Sequence, residues 1–362
     1  MTIKQAIITL QELFEVAKYC RKLVLFRRPG YLAILLRAFR LCRRHRFLPD
    51  EAFRLGLYNF NLVDTELSKF ISRKNLTKIQ ESVNPVSWAP LLKDKGIFYR
   101  YCMALGIPIP KLYAVFFQTN EGWAYNGSSL TTCDEWKRFF EHQLPSQFVI
   151  KPCSSSCGQG VNLFSRTDGV FIDAFARSYK SEQLYQLLRS HRKYDSFIIQ
   201  QWLKNHPELL RLTGIEFLQT VRIITIVDKK NQCRILHAHL KLITGQNVVD
   251  NFEHGLSGNI ESLVSLTDGQ LKSAVTMGSD GSGVHTIPNH PKTKFAFDQF
   301  HLPLWDQACK LVTTAAPKFL PIRAIAWDVA LTPDGPYIVE GNIWWHPPNQ
   351  HMRMDVILEA MS

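Results

Sequence analysis

Residues 326–331 and 337–340 each read as a short apolar strand, and Asp334-Gly335-Pro336 between them is a turn that joins them as a hairpin. Each strand carries one acid, Asp328 on the first and Glu340 on the second. Asn342 lies two residues beyond Glu340 and shares its face, because strand side chains alternate. The flanking Ala326, Val329, Ala330, Ile338 and Val339 call for burial in a sheet, where an uncompensated carboxylate is costly. Three hard oxygen donors converging from adjacent strands suit Mg²⁺ held between carboxylates and nucleotide phosphates. The plain alternative is an acidic edge hairpin whose polar groups face water.

The rest of the chain sets this hairpin in an α+β context. Further strands read at 112–117, 148–150, 161–164, 197–200, 221–227 and 234–242, and helices at 93–105, 134–143, 181–191 and 303–316. Such a mixture is not a helical bundle. No internal repeat is visible, and 362 residues call for two or three packed subdomains. Hydrophobic residues at 46% and aromatics at 12% exclude disorder as the main state, and no apolar run approaches the roughly 20 residues of a spanning helix.

The N-terminal part has a different texture. Residues 1–100 hold 19 Lys and Arg against 8 Asp and Glu, whereas the remainder holds 24 against 23. Nearly all of the net charge of +12 therefore belongs to one segment. Residues 3–48 read as two helices broken at Pro29-Gly30. The first places Ile3, Ile7, Leu10, Phe14 and Ala17 at helical spacing, and residues 50–82 continue as helix after Pro49-Asp50. In the second helix Leu32, Leu35, Leu36 and Phe39 form an apolar face beside Arg37, Arg40, Arg43 and Arg44. A basic amphipathic helix of this kind can lie on an anionic membrane surface, or pack on the body with its arginines in water. Nucleic acid is not an expected partner, because no recognised binding motif accompanies the charge.

The segment Phe148–Val161 delivers Lys151 on a strand and then runs through Ser154, Ser155, Ser156, Gly158 and Gly160 into the next strand. Small polar residues and glycines let backbone N–H groups approach a polyphosphate, with the lysine alongside. It is not a Walker A loop, since no Gly-Lys-Ser/Thr follows and no helix opens at its end. Many hairpin loops share this composition, so the loop alone leaves a structural role open. The eight cysteines are scattered, and Cys153-x3-Cys157 lacks a second metal-binding pair, as in a protein of a reducing compartment. The N-terminus shows no secretory pattern, because Gln11, Glu12, Glu15 and Lys18 interrupt its apolar residues, so the cytoplasm is expected.

Taken together, Lys95, Lys151 with its Ser/Gly loop, and Asp328…Glu340-x-Asn342 resemble the ATP-grasp superfamily, the fold of D-alanine–D-alanine ligase and glutathione synthetase. The likeness covers roughly residues 90–350. The text is similar in particular to the sugar-transfer-associated ATP-grasp branch, related to α-L-glutamate ligases. The runs that carry this are Asp94-Lys95 to Gly106-Ile-Pro108-x-Pro110, Asn251-Phe252…Gly255…Gly258 with Asp268-Gly269, and His290-Pro-x-Thr293. Trp327-Asp328…Glu340-Gly-Asn342 and the N-terminal Pro49–Leu57 complete the set. The resemblance implies an ATP-grasp fold of two α+β subdomains clasping ATP, preceded by a basic helical region. Its divisions fall at 1–88, 89–200 (N-terminal and lid subdomains) and 201–362 (metal and substrate subdomain).

The resemblance also implies roles. Lys95 and Lys151 would hold the nucleotide phosphates, with Lys151 also near adenine, and Ser154–Gly160 would close over them. Gln200, Gln201, Trp202 and Leu203 would form the hinge whose backbone reads the adenine edge, and Glu208 would meet the ribose hydroxyls. Asp328, Glu340 and Asn342 would bind one or two Mg²⁺ ions. Arg222 and Lys241 would steady a substrate carboxylate and its acyl phosphate, which an amine then captures to give an amide and ADP. An anion attacking an anion needs this concentration of cations. The nearest ligases often carry an Arg two residues before the metal-binding Asp, where this chain has Ala326, with Arg323 close by in a different register. The expected substrates are a small carboxylate and an amine, one of them sugar-linked by analogy. A kinase on the same fold and a non-catalytic membrane-recruited protein are the rivals. Trp344 and Trp345 read as stacking groups or as packing at the strand end, with His346 as a proton acceptor for the amine. His237, His239 and His254 read as structural histidines.

Overall fold

The chain folds around two seven-stranded antiparallel sheets, in a computed structural model that describes residues 30–67, 70–119, 121–156, 158–252, 257–278 and 283–347. The helix expected from residue 3, the break at Pro29, Cys157, His254 and Gly255 lie outside the described residues. Ten helices are labelled in chain order: α1 Tyr31–Arg44, α2 Pro49–Arg54, α3 Asp64–Leu67, α4 Arg73–Val83, α5 Pro90–Lys93, α6 Lys95–Ala104, α7 Cys133–His142, α8 Ser181–Arg189, α9 Pro207–Thr213 and α10 Trp305–Ala315. The strands are β1 Leu112–Phe117, β2 Gly122–Ala124, β3 Gln147–Pro152, β4 Asn162–Thr167, β5 Val170–Asp173, β6 Ser178–Tyr179 and β7 Ser196–Gln201. They continue as β8 Thr220–Val227, β9 Cys233–Leu242, β10 Ile260–Val264, β11 Leu271–Met277, β12 Val284–Ile287, β13 Ala324–Thr332 and β14 Gly335–Asn342.

The first sheet has the order β2-β1-β7-β3-β4-β5-β6, and the second β12-β11-β10-β9-β8-β13-β14. Each buries one face in its own core, as alternation requires. In the first sheet Phe148, Ile150, Phe164, Phe197 and Ile199 pack with Trp136 and Phe140 of α7 and Leu184 of α8. In the second, Val221, Ile223, Trp327, Val329 and Ile338 pack with Ala308 and Val312 of α10 and with Phe98 of α6. The opposite faces therefore hold the in-between residues, Val149, Lys151 and Gln200 in one sheet and Arg222, Asp328 and Lys241 in the other.

Two N-terminal expectations are corrected. The helix expected over 50–82 is three helices. Gly56 takes a left-handed turn (φ +68°) after α2, and Ser72 caps α4 by accepting from the Asn75 N–H at 3.2 Å. Helix α1 also presents a different face inward. Ile34, Ala38 and Leu41 are buried against Phe47, Phe53 and Leu57, while Leu32, Leu36 and Phe39 are 70%, 62% and 64% exposed. Arg37 fixes this orientation by donating to the carbonyls of Leu57, Asn59 and Leu62.

Helix α4 joins the N-terminal helices to the second sheet. Ile71, Leu76, Ile79 and Val83 cover Ile224, Ile226, Ala324 and Ala326 on the face that also carries Asp328. The buried Asn84 donates to the Ala324 and Ile343 carbonyls and accepts from the Arg323 and Ala324 N–H groups. Asn84→Ala strips partners from buried backbone groups and is expected to cost about 2–4 kcal/mol. Chemical denaturation should show a lower midpoint at unchanged slope.

Candidate functional site

The open faces of the two sheets and the N-terminal end of α6 enclose a cleft of about 330 Å³. Lys95, Lys151, Ser155, Ser156, Gly158, Gln201, Trp202, Leu203, Arg222, Lys241, Asp328, Glu340 and Asn342 all line it. Residues far apart in the chain are thus brought together. Ser154, Gly160 and Glu208 are not among the lining residues. Ser154 points to solvent. Gly160 serves the loop, because at φ +76° an added Cβ would sit 2.7 Å from Pro152. Glu208 is half-exposed on α9 and pairs with Arg211 at 2.6 Å.

Asp328 is the electrostatic centre. Arg222 grips it through two parallel bonds, Nε to Oδ1 and Nη2 to Oδ2, both 2.8 Å. Lys241 donates to Oδ2 at 3.1 Å and also meets Asp250 at 3.2 Å. Burial alone would raise the Asp328 carboxyl, but Arg222 and Lys241 outweigh it and hold the group well below the carboxylate range. Burial likewise opposes charge on Lys241, yet Asp250 and Asp328 raise its ammonium above the ordinary value.

Strand register places the acids. Asp328 lies opposite Arg222 on one side and Glu340 on the other. An extra residue then bulges β14 between Glu340 and Ile338. Bulges re-aim side chains, and here Val339 enters the cleft wall. Asn342 Nδ2 lies 3.4 Å from both Glu340 Oε1 and the Ala326 carbonyl, which leaves its amide oxygen as an acceptor. Among the described residues no cluster of three His, Cys, Asp or Glu forms a metal site. The available set is two carboxylates and an amide, hard donors that fit Mg²⁺ completing its shell with water and phosphate oxygens.

The cations stand opposite. Lys95 Nζ lies 3.8 Å from Glu340 Oε2 and donates to the Ser155 carbonyl at 2.9 Å, tying α6 to the Ser/Gly loop. Lys151 is fully enclosed and donates to Tyr99 Oη at 3.2 Å. Burial first, and the Lys95 charge second, push its amine down to about 7. Tyr99 Oη in turn donates to Gln200 Oε1 at 2.6 Å and sits 3.3 Å from the Val339 carbonyl. Sequence reasoning passed over Tyr99 and Asp250, and gave Gln200 only as the first residue of the hinge. Tyr99 was detectable as the residue one helical turn after Lys95, whereas Asp250 sits in an irregular loop with no pattern to mark it. Val149, Leu163, Leu203, Leu218 and Val339 give the same cleft apolar walls.

A family model described as sugar-transfer associated ATP-grasp matches residues 74–352. The chain belongs to this family. The ATP-grasp fold thus accounts for the two sheets and the cleft between them. Among solved structures, this ATP-grasp chain is similar to N5-carboxyaminoimidazole ribonucleotide synthetase in an ADP complex, at 12% identity over 78% of this chain and 52% of that one, TM-score 0.38. It is similar to D-alanine–D-alanine ligase from Bacillus anthracis complexed with ATP, at 12% identity over 75% and 66%, TM-score 0.39. Phosphoribosylamine–glycine ligase from Thermotoga maritima matches at 13% identity over 76% and 54%, TM-score 0.42. The chain spans between 52% and 66% of the length of these three structures. No curated protein matches it.

The remaining candidates have structural surroundings. Trp345 is buried against Ile71, Leu76 and Ala326, and Trp344 packs on the main core, although both also edge the cleft. His237 and His239 hydrogen-bond each other at 2.9 Å, and burial pushes His237 down to about 3. The six described cysteines form no disulfide with one another.

The displaced pKa of Lys151 has a measurable sign. Between about pH 7 and its ordinary 10.5 the folded protein binds fewer protons at this amine than the unfolded chain, so stability rises with pH across that window. Below it the cost of charging the buried amine is fully present. Lys151→Met should flatten the rise. The difference in unfolding free energy between the two proteins should shift by about 1 kcal/mol per pH unit between pH 7 and 9, and parallel curves would contradict the assignment.

Proposed function

We propose that this ATP-grasp protein is an ATP- and Mg²⁺-dependent carboxylate–amine ligase acting through an acyl phosphate on small-molecule substrates. The observation that supports this best is the division of charge across one cleft. Asp328, Glu340 and Asn342 offer oxygen donors at one wall, and three cations, Lys95, Arg222 and Lys241, with the Lys151 amine, surround the space in front of them. The apolar walls and the backbone of residues 201–203 would hold the base of ATP, and Lys95 and Lys151 its phosphates. Glu340 and Asn342, with Asp328, would hold Mg²⁺, which would supply charge neutralisation at the phosphates. Arg222 and Lys241, held in place by Asp328, orient the substrate carboxylate and balance the charge that builds on its acyl phosphate. The Ser155–Gly158 segment, anchored by Lys95, covers the phosphates and keeps water from the acyl group. A sugar-linked substrate accords with the family description.

Glu340→Gln keeps the shape of the site and removes one charge. It is expected to lower ADP release from MgATP by at least about a hundredfold while the unfolding midpoint changes little. With hydroxylamine as the amine, the wild-type protein should yield a hydroxamate of its acid. ADP release with no trapped hydroxamate would make the protein a kinase instead.

The N-terminal helices supply a second element of this reading, contact with an anionic membrane surface. Among the described residues no helix is long and apolar enough to cross a membrane. Leu32, Leu36 and Phe39 nevertheless form an exposed apolar stripe along α1, next to Arg40, Arg43 and Arg44. An apolar stripe edged by arginine suits the headgroup boundary. Full-length protein should co-sediment with vesicles of phosphatidylcholine and phosphatidylserine but not of phosphatidylcholine alone. The double variant Leu36→Glu, Phe39→Glu should remain in the supernatant, and unchanged sedimentation would refute the contact.

A further inference from the structure

Past the end of β9, residues 243–252 form neither helix nor strand, yet Val248, Val249, Asp250 and Asn251 line the cleft. A segment without ladder partners must satisfy its peptide groups in some other way. The side chain of Asn259, wholly buried just before β10, does this. Its Oδ1 accepts from the Thr244 N–H at 3.0 Å and from Asn247 Nδ2 at 2.9 Å. Its Nδ2 donates to the Val249 and Asn251 carbonyls, each at 2.9 Å. The hydrogen-bonding capacity of the amide is thereby used in full.

The two carbonyls gripped by Asn259 belong to the residues on either side of Asp250. With the chain fixed there, both oxygens of Asp250 are engaged. Oδ2 accepts from the Thr220 N–H at 2.7 Å and from its hydroxyl at 2.6 Å, and Oδ1 faces Lys241 Nζ at 3.2 Å. Lys241 Nζ also meets Asp328 Oδ2 at 3.1 Å, so the β13–β14 hairpin holds the amine from one side and this segment from another. Val249 extends the contact to the first sheet. A Cβ added to Gly158 would lie 3.1 Å from Val249 Cγ2, so the Ser/Gly loop packs closely on it.

We propose that Asn259 is a positioning residue for phosphoryl transfer in this cleft: by gripping the chain on both sides of Asp250 it holds Lys241 where charge builds on the transferred group. Asn259 does not itself line the cleft and acts through Asp250. Preorganised charge of this kind stabilises a transition state only while it is held in place, which gives a buried amide outside the cleft a hold on the reaction. The inference rests on the ligase reading, in which Lys241 balances the acyl phosphate.

The experiment is calorimetric titration of the full chain with ADP and Mg²⁺, with and without aluminium fluoride, a mimic of the phosphoryl group in transfer. Fluoride should tighten ADP binding to the wild-type protein. Asn259→Ala should lose about tenfold or more of that tightening, while its affinity for ADP without fluoride stays within about twofold. A loss shared equally by the two titrations, as a merely structural role would give, or no loss at all, would overturn the proposal. Asp250→Asn should show the same selective loss, and the double variant no more than Asp250→Asn alone, because both act along one path. Additive losses would contradict action through Asp250. Should Asn259→Ala fail to fold, Asp250→Asn decides, and full fluoride tightening in that protein would refute the positioning. Absence of any fluoride effect in the wild-type protein would instead sink the ligase reading, and the inference with it.

Discussion

The cleft depends on one buried carboxylate. Asp328 is 3% exposed, and water cannot stabilise its charge, so the protein does this with a bidentate arginine and a lysine. The tie joins three adjacent strands, β9, β8 and β13. Removing one member of such a set typically costs about 3–5 kcal/mol, because the others are left charged and unpaired. The arrangement also fixes what the cations can do. Arg222 and Lys241 keep their positions and protonation because Asp328 and Asp250 hold them, and each is presented to the cleft already oriented.

The same sheet face carries two kinds of covering. At the end nearest the first sheet it is left open and charged, which makes the cleft. At the end nearest Ala324 it is apolar and sealed by α4. The change happens within two residues of one strand, from Asp328 to Ala326. A small side chain at 326 lets Trp345 and α4 close in, so the helical region is seated directly beside the reactive groups instead of trailing from the body.

Much of this was legible in the sequence. The hairpin carrying Asp328 and Glu340 shows itself because apolar alternation, a Gly-Pro turn and two misplaced acids agree, and β13 and β14 extend the expected strands by only a few residues. Lys151 is marked by the strand that ends in a Ser/Gly loop. Strands β10 to β12 escape notice because they are short, carry Ser, Thr, Lys and His, and rely on neighbours distant in sequence. Which face of α1 packs inward is hidden in the sequence for a related reason. Leu32, Leu36 and Phe39 are the more apolar set, yet Ile34, Ala38 and Leu41 turn inward to pack on Phe47, Phe53 and Leu57, where Arg37 makes three bonds to the chain beyond α2. The ribose role of Glu208 came from the resemblance alone, and on the seven-residue α9 its side chain pairs with Arg211. Asp250 has no local pattern, since its role exists only after β9 has brought Lys241 alongside.

Tyr99 joins the two halves at the floor of the cleft. Its hydroxyl accepts from Lys151, donates to Gln200 on the first sheet and lies against the Val339 carbonyl of the second. Helix α6, which carries it, also brings Lys95 to the Ser/Gly loop. The spacing of the two sheets is therefore felt at this hydroxyl. The same atom meets the Lys151 amine, whose charge burial disfavours, so the protonation of that lysine and the spacing of the sheets bear on one hydroxyl.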